Sequence, residues 1–350
     1  MPKVFIIILN WNNWEDTIKC LQSVFAMNYS NFEVIVIDNA SENDSIEKLT
    51  SAFPDLRLIK NSVNNGFTGG NNIAMRWAME HGADYVWLLN NDTEVQPDAL
   101  EQCVFRAEAD PGVGLVSAIV LFHEAQDVIQ NCGSYVDWNN LSVCNARDIG
   151  QALAWEREQS SSFCLWGTAL LVKRALIEAV GLLNEKLFAY WEDTDYSIRA
   201  IRAGFRNAIA PAARIYHKTP YGSSSQRKRS PHYFYYFCRN EHYFWSTFLE
   251  GDTRRMALAR HTAAVIDRAA YYRQSGEAEW AAACVRGLWH ARQGVGGPWD
   301  RSLEMPWSLE MMVRWFPGLW SRLIRGEWRT IPSALAAKLS SCTAKGGVQP

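Results

Sequence analysis

The stretch Tyr85-Val-Trp-Leu-Leu-Asn90-Asn-Asp92-Thr-Glu-Val95 joins an apolar run of strand length to amide and carboxylate side chains. Residues 85–89 carry no charge, which predicts a strand buried on both faces of a parallel sheet. Open α/β sheets bind ligands at the carboxyl ends of their strands. Asp92 places there an oxygen ligand of the kind that Mg²⁺ or Mn²⁺ uses when it holds a phosphate. A polar turn is the alternative, since Asn and Asp favour turns.

The composition is that of a globular protein with one large domain, or one domain and an extension, in 350 residues. No run of 18 apolar residues occurs, so no transmembrane helix is expected. The short apolar run 4–9 is predicted to be a first strand and not a signal segment. Eight cysteines without a Cys-x-x-Cys pair favour reduced thiols in a cytoplasmic protein over a zinc site or a disulfide framework.

Charge is distributed unevenly along the chain. From Arg214 onward there are 20 Lys and Arg against 10 Asp and Glu, whereas residues 1–213 hold 15 against 27. The two parts are therefore expected to face different partners, or each other.

Apolar strand patterns alternate with helical patterns in the first half of the chain. This spacing predicts parallel, right-handed βαβ units and a doubly wound α/β sheet with helices on both faces. The predicted strands are 4–9, 32–37, 56–59 and 85–89, and the predicted helices are 15–27, 45–52 and 73–81.

The pattern is less regular from residue 111 to the end of the first domain. Residues 123–162 mix turn residues with weak alternation, which suits an excursion over the sheet face. The predicted strands are 113–122, 163–173, 207–210 and 213–217. The predicted helices are 174–180 and one that the segment 188–195 leads into and that runs through residue 203.

A helical extension is predicted after Pro231, where the sequence becomes aromatic and then rich in Trp and Arg. Its helices are expected at 233–249, 252–274 and 276–293. The predicted domains are 1–230, a catalytic α/β domain, 231–339, the helical extension, and 340–350, a disordered tail. Five tryptophans mark the end of the extension, at Trp299, Trp307, Trp315, Trp320 and Trp328.

Two further polar segments of the α/β region are candidates for binding a nucleotide. Asp38 follows the strand 32–37, where a carboxylate can accept hydrogen bonds from a ribose or a base edge, although a helix N-cap or an Asx turn is the alternative. Residues 64–72 are rich in glycine and amide but lack the spacing of a dinucleotide fingerprint. Their backbone N–H groups could approach phosphate or sugar oxygens. The alternative is a plain flexible loop without a ligand, with which these residues are equally compatible.

Three carboxylates stand within four residues at Glu192, Asp193 and Asp195. Like charges this close raise at least one proton affinity, which suits a general base. The alternative is that these carboxylates stabilise the N-terminus of a helix through its macrodipole. It describes Asp195 best, because Arg199 lies four residues further on and can pair with it. His217 follows a short strand, where it could be a third metal contact or a structural histidine.

Arg239 and Asn240 lie on the aromatic helix that follows a basic segment with Arg227, Lys228 and Arg229. These cations could reach a diphosphate, and a solvated charge cluster is the alternative.

In order and spacing, these segments resemble the family 2 inverting glycosyltransferases with the GT-A fold, and their rhamnosyltransferase-like branch in particular. The resemblance covers about residues 3–245. Asn90-Asn-Asp92 occupies the position of the Asp-x-Asp metal motif, but Asn90 adds no negative charge. Residues 166–168 and 181–185 resemble acceptor-side segments. The donor-binding residues that the resemblance implies are Asn10, Asn12, Asp38, Asn65, Gly66, Gly69, Asn71, Asn91 and Arg239.

The resemblance also implies a reaction and its residues. Asp193 matches the catalytic base, supported by Glu192 and Trp191, and Asp92, Asn90 and His217 are the implied ligands of Mg²⁺ or Mn²⁺. The expected reaction is a single displacement with inversion. It moves a sugar, with rhamnose as the candidate, from a nucleoside-diphosphate sugar to a hydroxyl of a glycan or lipid-linked acceptor. Such a hexosyltransferase would serve cell-surface polysaccharide synthesis.

Two other functions are compatible with parts of this pattern. A nucleotidyltransferase would favour a Gly-rich basic loop after the first strand, and here residues 10–14 contain neither glycine nor lysine. A non-catalytic nucleotide-sugar binder would not need Glu192 and Asp193.

The basic, Trp-rich C-terminal part predicts contact with the inner face of the plasma membrane. The alternative is that the same tryptophans pack onto the catalytic domain. No nucleic-acid partner is expected.

Overall fold

Twelve strands and ten α-helices are present in the computed structural model, which describes residues 1–221, 229–303, 305, 307–308 and 324. The strands are β1 (Val4–Asn10), β2 (Phe32–Asp38), β3 (Arg57–Lys60), β4 (Tyr85–Asn90), β5 (Thr93–Val95), β6 (Val113–Phe122), β7 (Ala125–Asn131), β8 (Ser134–Asp137), β9 (Ser142–Asn145), β10 (Phe163–Cys164), β11 (Ala169–Lys173) and β12 (Arg206–His217). The helices are α1 (Trp14–Phe25), α2 (Ser45–Ala52), α3 (Gly66–Glu80), α4 (Ala99–Glu108), α5 (Ile149–Glu158), α6 (Arg174–Val180), α7 (Glu192–Arg202), α8 (Pro231–Phe248), α9 (Gly251–Gln274) and α10 (Ala278–Arg292).

The main sheet has nine strands in the order β3-β2-β1-β4-β11-β6-β12-β5, with β7 beside β6. The strands β3, β2, β1 and β4 run parallel to one another, and β6 runs parallel to β12. β11 is inserted antiparallel between β4 and β6. A small antiparallel sheet, β10-β8-β9, lies beside the main one. The expected α/β architecture is therefore confirmed.

Both faces of the main sheet are buried, which explains why its central strands are apolar throughout. Ile6 and Ile8 of β1 pack on one face with Leu21 of α1. Phe5 packs on the opposite face with Met75 of α3. Because successive side chains of a strand point to opposite faces, a strand with two packed faces shows a continuous apolar run.

α3 begins at Gly66, so the prediction of a loop up to residue 72 is wrong for most of that segment. The glycines are sites of close packing within a helix. A Cβ on Gly70 would lie 2.4 Å from Leu9 Cδ1, and one on Gly66 would lie 2.5 Å from the carbonyl oxygen of Phe188. Glycine has poor helix propensity, but here tertiary packing outweighs it.

Three other predictions are corrected in the second half of the sheet. The predicted strand 163–173 is two strands, of which β10 belongs to the small sheet and β11 to the main sheet. The predicted strands 207–210 and 213–217 are one strand, β12, with an irregularity between Ala210 and Arg214. The excursion 123–162 contains β7, β8, β9 and α5.

The described residues divide into two compact units, of which one comprises 1–221, 229 and 296–298 and the other comprises 230–295 and 299–303. In the second unit, α8 packs against α10 and α9, and the indole of Trp299 stacks on Tyr235 with ring centroids 4.6 Å apart. The predicted domain boundaries stay predictions. Arg227, Lys228, Trp315, Trp320, Trp328 and the tail 340–350 lie outside the described residues. Among the helices described, none is both long and apolar enough to cross a membrane.

Candidate active site

The polar ends of three parallel strands meet at one edge of the main sheet. The register pairs Asn10 of β1 with Asp38 of β2, and Leu9 of β1 with Asn90 of β4. This edge is the one at which open α/β sheets bind ligands. The strands therefore bring the predicted nucleotide and metal segments together.

Asp38 is buried and bonded within the protein. Its Oδ1 accepts from Asn10 Nδ2 (2.8 Å), and its Oδ2 accepts from the backbone N–H of Ser41 (3.0 Å). Asn10 is also buried, and its Oδ1 accepts from Thr17 Oγ1 (2.9 Å). Asn12 is exposed and has a left-handed backbone (φ 56°). Asn10 and Asp38 thus shape this loop, and their contact with a donor stays a prediction.

The start of α3 is fixed by side-chain and backbone contacts. Asn65 N–H donates to Asn39 Oδ1 (3.0 Å), and Asn71 Nδ2 donates to the carbonyl of Phe67 (2.8 Å). Gly66 has φ +69°, and a Cβ on Gly69 would lie 2.8 Å from Asn65 Cβ. The glycines therefore serve close packing, and their predicted approach to a donor stays a prediction.

Asp92 and His217 lie side by side although they are far apart in sequence. His217 Nε2 is 3.1 Å from Asp92 Oδ1, because the end of β12 pairs with the start of β5. The other ring nitrogen, Nδ1, is 2.8 Å from Gln130 Oε1, whose amide Nε2 donates to Thr219 Oγ1 (2.6 Å). These contacts fix the orientation of the ring, with Nδ1 at Gln130 and Nε2 at Asp92.

The pair suits a divalent cation that is also bound by phosphate oxygens. Mg²⁺ in such sites is bound through one or two carboxylates together with substrate phosphates, and Asp92 supplies one carboxylate. Within the described residues, no three Asp, Glu, His or Cys side chains gather into a larger metal cluster. Asn90, two residues before Asp92 in sequence, is partly exposed, whereas Asn91 Nδ2 donates to Thr17 Oγ1 (2.9 Å) on α1. Asp92 and His217 therefore carry the metal prediction, with Asn90 as the neighbouring amide.

Asp193 lies in the first turn of α7 and keeps part of its surface accessible. Its Oδ2 accepts from the N–H of Gly167 (3.0 Å), and its Oδ1 accepts from the N–H of Thr194 (2.6 Å). Burial raises the pKa of Asp193, and these hydrogen bonds oppose the rise. A carboxylate that is oriented, accessible and raised in pKa has the properties of a general base.

The two neighbouring carboxylates have different surroundings. Asp195 is buried and pairs with Arg199 (2.8 Å), as its structural assignment predicted. Glu192 is buried, and burial together with the charges of Asp193 and Asp195 raises its pKa well above the ordinary range. Trp191, directly before it, has a left-handed backbone with φ 71°.

Arg239 belongs to α8 in the second unit and is fully buried. Its guanidinium lies 4.9 Å from the ring centroid of Tyr236 and 5.3 Å from that of Tyr235, and its Nε donates to Asn240 Oδ1 (3.0 Å). These contacts give Arg239 a packing role in the helical unit, and its predicted contact with a donor is not established by them.

The structure adds a charged group that the sequence did not single out. Lys218 Nζ lies 3.0 Å from Asp16 Oδ1 and 3.2 Å from Glu94 Oε1, next to His217 in sequence. Glu94 also contacts His123 Nε2 (3.1 Å). Adjacency to His217 is the only sequence signal for Lys218. Its partner Asp16 lies on α1, 202 residues earlier in the sequence, so local patterns do not indicate this contact.

Comparison with known proteins finds several relatives and many fold neighbours, among them the following three. Protein y4gI of Sinorhizobium fredii, which is uncharacterized, is 30% identical over 54% of this chain, but the match spans only 21% of that protein. The N-acetylglucosaminyl-diphospho-decaprenol L-rhamnosyltransferase of Mycobacterium tuberculosis is 24% identical over 53% of this chain and 66% of its own length. Among solved structures, the mannosyltransferase PcManGT of Pyrobaculum calidifontis, in complex with GDP-Man and Mn²⁺, has a TM-score of 0.55 at 16% identity, over 84% of this chain and 88% of that one.

The structural likeness confirms the GT-A fold that the sequence predicted. The model of the family described as "Glycosyl transferase family 2" matches residues 5–181, which is just over half of the 350 residues. The matched segment contains the strand ends with Asp38 and Asp92 and the glycine that binds Asp193. This chain therefore belongs to glycosyl transferase family 2.

Proposed function

We propose that the protein is an inverting glycosyltransferase of polysaccharide biosynthesis. It moves a sugar from a nucleoside-diphosphate sugar to a hydroxyl of a glycan or lipid-linked acceptor. The observation that carries the proposal is the carboxylate of Asp193, which is partly exposed and held by Gly167 and Thr194. Gly167, the backbone donor to Asp193, lies within the residues 5–181 that match family 2, and this supports the role of base.

The reaction needs one base and no acid from the protein. Asp193 takes the proton of the acceptor hydroxyl as that oxygen bonds to the anomeric carbon. The bond from this carbon to the diphosphate oxygen breaks, and its electron pair leaves with the diphosphate. Because the attack comes from the side opposite the leaving group, the configuration inverts.

Asp92 and His217 would hold Mg²⁺ or Mn²⁺, with Asn90 beside them. A bound divalent cation supplies positive charge that stabilises a departing diphosphate. The support is the 3.1 Å approach of His217 Nε2 to Asp92 Oδ1 and the network that orients the ring. The fold neighbour with GDP-Man and Mn²⁺ is consistent with this assignment.

Rhamnose and a lipid-linked acceptor are the candidate substrates. They are supported by the resemblance to the rhamnosyltransferase-like branch and by the name of the mycobacterial relative. We place the reaction at the cytoplasmic face of the membrane. The support is the basic character of the chain from Arg214 onward and the seven described cysteines, which are all free thiols.

A panel of UDP-, dTDP- and GDP-sugars, with a polyprenyl-diphosphate-linked acceptor and Mg²⁺ or Mn²⁺, tests the proposal. We expect release of nucleoside diphosphate that requires the acceptor, and a product whose new linkage has the inverted configuration by NMR. Release of pyrophosphate from a nucleoside triphosphate would instead indicate a nucleotidyltransferase. Donor binding without turnover on any acceptor would indicate a sugar-nucleotide binder.

A further inference from the structure

Lys218, directly after His217 of β12, contacts two other elements of the first unit. Its Nζ lies 3.0 Å from Asp16 Oδ1 on α1 and 3.2 Å from Glu94 Oε1 on β5. Its backbone N–H donates to the carbonyl oxygen of Asp92 (2.9 Å). This residue therefore joins the end of β12, the start of α1 and the turn that carries Asp92.

The same turn is held from its other side by the residues that begin α1. Asn91 Nδ2 donates to the carbonyl oxygen of Asn13 (3.3 Å). The side chain of Asn13 donates in turn through Nδ2 to Asp16 Oδ2 (3.0 Å), so both oxygens of this carboxylate have a partner. Since Asn91 precedes Asp92 in the chain, the contacts form a closed circuit that starts and ends at Lys218.

This circuit fixes the two residues that carry the metal prediction. The pairing of β12 with β5 ends where His217 faces Thr93, and the bond from Lys218 to Asp92 lies just beyond this last pair. The anchored lysine therefore holds the end of β12 against the turn. An ammonium group has no acceptor and cannot be a metal ligand, so Lys218 can act only through its neighbours. Contacts outside the ligand shell orient the ligands and tune the affinity for a metal.

We propose that Lys218 is a positioning residue of the metal site, which keeps His217 beside Asp92 by anchoring the end of β12 to Asp16. The inference rests on the proposed function for the metal and its nucleotide. The charge of Lys218 alone would have the opposite effect, because a cation near a metal site repels the metal. Positioning and electrostatics therefore predict changes of opposite sign when the lysine is removed.

Mn²⁺ affinity in Lys218→Met, in Asp16→Ala and in the double variant tests the proposal. The two substitutions break the same contact but change the local charge in opposite directions. Calorimetry of the full-length protein with UDP, dTDP and GDP identifies the nucleotide that the native chain binds best, and Mn²⁺ is then titrated in its presence. We expect each single variant to weaken Mn²⁺ binding by about tenfold, and the double variant to be no weaker than either.

Two further variants serve as controls. Lys218→Arg keeps the charge and the ion pair, so its Mn²⁺ affinity should stay within about threefold of the native value. Lys3→Met removes an ion pair with Glu33 (2.8 Å) outside the site and should leave the affinity unchanged. Thermal melting checks that every variant folds. Mn²⁺ affinities that are unchanged in the two single variants, or that change in opposite directions, would overturn the proposal.

NMR of the full-length protein with labelled histidines, without metal or nucleotide, reports on His217 directly. His217→Asn identifies its ring signals among those of the seven histidines. We expect Lys218→Met and Asp16→Ala to move these signals in the same direction, and Lys3→Met to leave them in place. Signals that stay in place in both variants would overturn the proposal. If the native chain binds no Mn²⁺ with any of the nucleotides, the metal of the proposed function fails, while the NMR result still decides whether Lys218 positions His217.

Discussion

At the scale of single residues, we expect Asp193 to determine the rate of the proposed reaction. Asp193→Asn keeps the shape of the side chain but removes the base. We expect donor affinity by calorimetry to stay near that of the native protein and kcat to fall by about 10²–10⁴-fold. Asp195→Asn is the comparison, since Asp195 is buried and paired with Arg199, which gives it a structural role. Near-normal transfer by Asp193→Asn would move the base to another carboxylate.

Asp92 is the residue whose loss should mimic removal of metal. We expect Asp92→Ala to weaken donor binding more than acceptor binding, and EDTA to do the same to the native chain, because both remove the cation that holds the diphosphate. Asp55→Ala, at an exposed position outside the site, is the control. Donor affinity that is equal with and without metal would contradict the assignment.

Glu192 predicts an unusual dependence of stability on pH. Burial raises its pKa in the folded state above the ordinary 4.5, so the folded protein retains a proton that the unfolded chain releases. The contribution of Glu192 to the free energy of unfolding is therefore fully present below pH 4.5. It falls as pH rises towards the pKa of the folded state, by at most about 1.4 kcal/mol per pH unit.

We expect the melting temperature of Glu192→Gln to rise relative to the native chain as pH increases from 4.5. Glu185→Gln should show the opposite sign. The hydrogen bond from Asn72 and the contact with Arg76 lower the pKa of Glu185, so its stabilisation is present near neutral pH and lost as pH falls. Parallel behaviour of the two variants would argue against a buried neutral Glu192.

At the scale of elements, the first turn of α3 depends on glycine for two separate reasons. Gly66 has φ +69°, and a side chain there would also meet Phe188. Gly82, just after α3, has φ +81°, and a Cβ added there would meet nothing within 4 Å. Gly82→Ala should therefore cost only the backbone strain, about 1–2 kcal/mol, and Gly66→Ala should cost clearly more. Equal losses in thermal unfolding would show that the Phe188 contact adds nothing.

The elements also show what a sequence can and cannot predict. The ends of β1, β2 and β4 and the bounds of α2 and α6 followed from apolar runs and turn residues, so the ligand-binding edge was foreseeable. The helical state of residues 66–72 was not, since it depends on Leu9 and Phe188 packing against glycines. The contact of His217 with Asp92 depends on β12 pairing with β5, which local patterns do not encode.

At the scale of the whole molecule, the charge asymmetry and the tryptophans motivate a membrane hypothesis. Trp299 packs on Tyr235 inside the helical unit, whereas Trp307 is 73% exposed. The segment that would touch lipid therefore starts after residue 303. Basic residues near an anionic surface contribute about 1 kcal/mol each, and Trp favours the interface.

Flotation with anionic liposomes tests this hypothesis. The full-length protein should float at low salt and less at high salt, and a chain ending at Leu303 should stay at the bottom. Neutral liposomes are the control for the electrostatic contribution. If the full-length protein also stays at the bottom with anionic liposomes, the Trp-rich segment packs in the protein interior or binds a protein partner, and the membrane hypothesis is wrong.

The position of β12 has a consequence for the order of synthesis. β6 has β11 on one side and β12 on the other, and the end of β12 closes on β5 and delivers His217 to Asp92. While the ribosome is still making residues 206–217, the nascent chain already carries Asp92 and Asp193 but has an open edge along β6. Such an edge can pair with another chain. A polypeptide that ends before residue 217 would therefore lack His217 and leave the edge of β6 exposed. We expect chaperones and proteases to remove such a chain before it binds a sugar nucleotide.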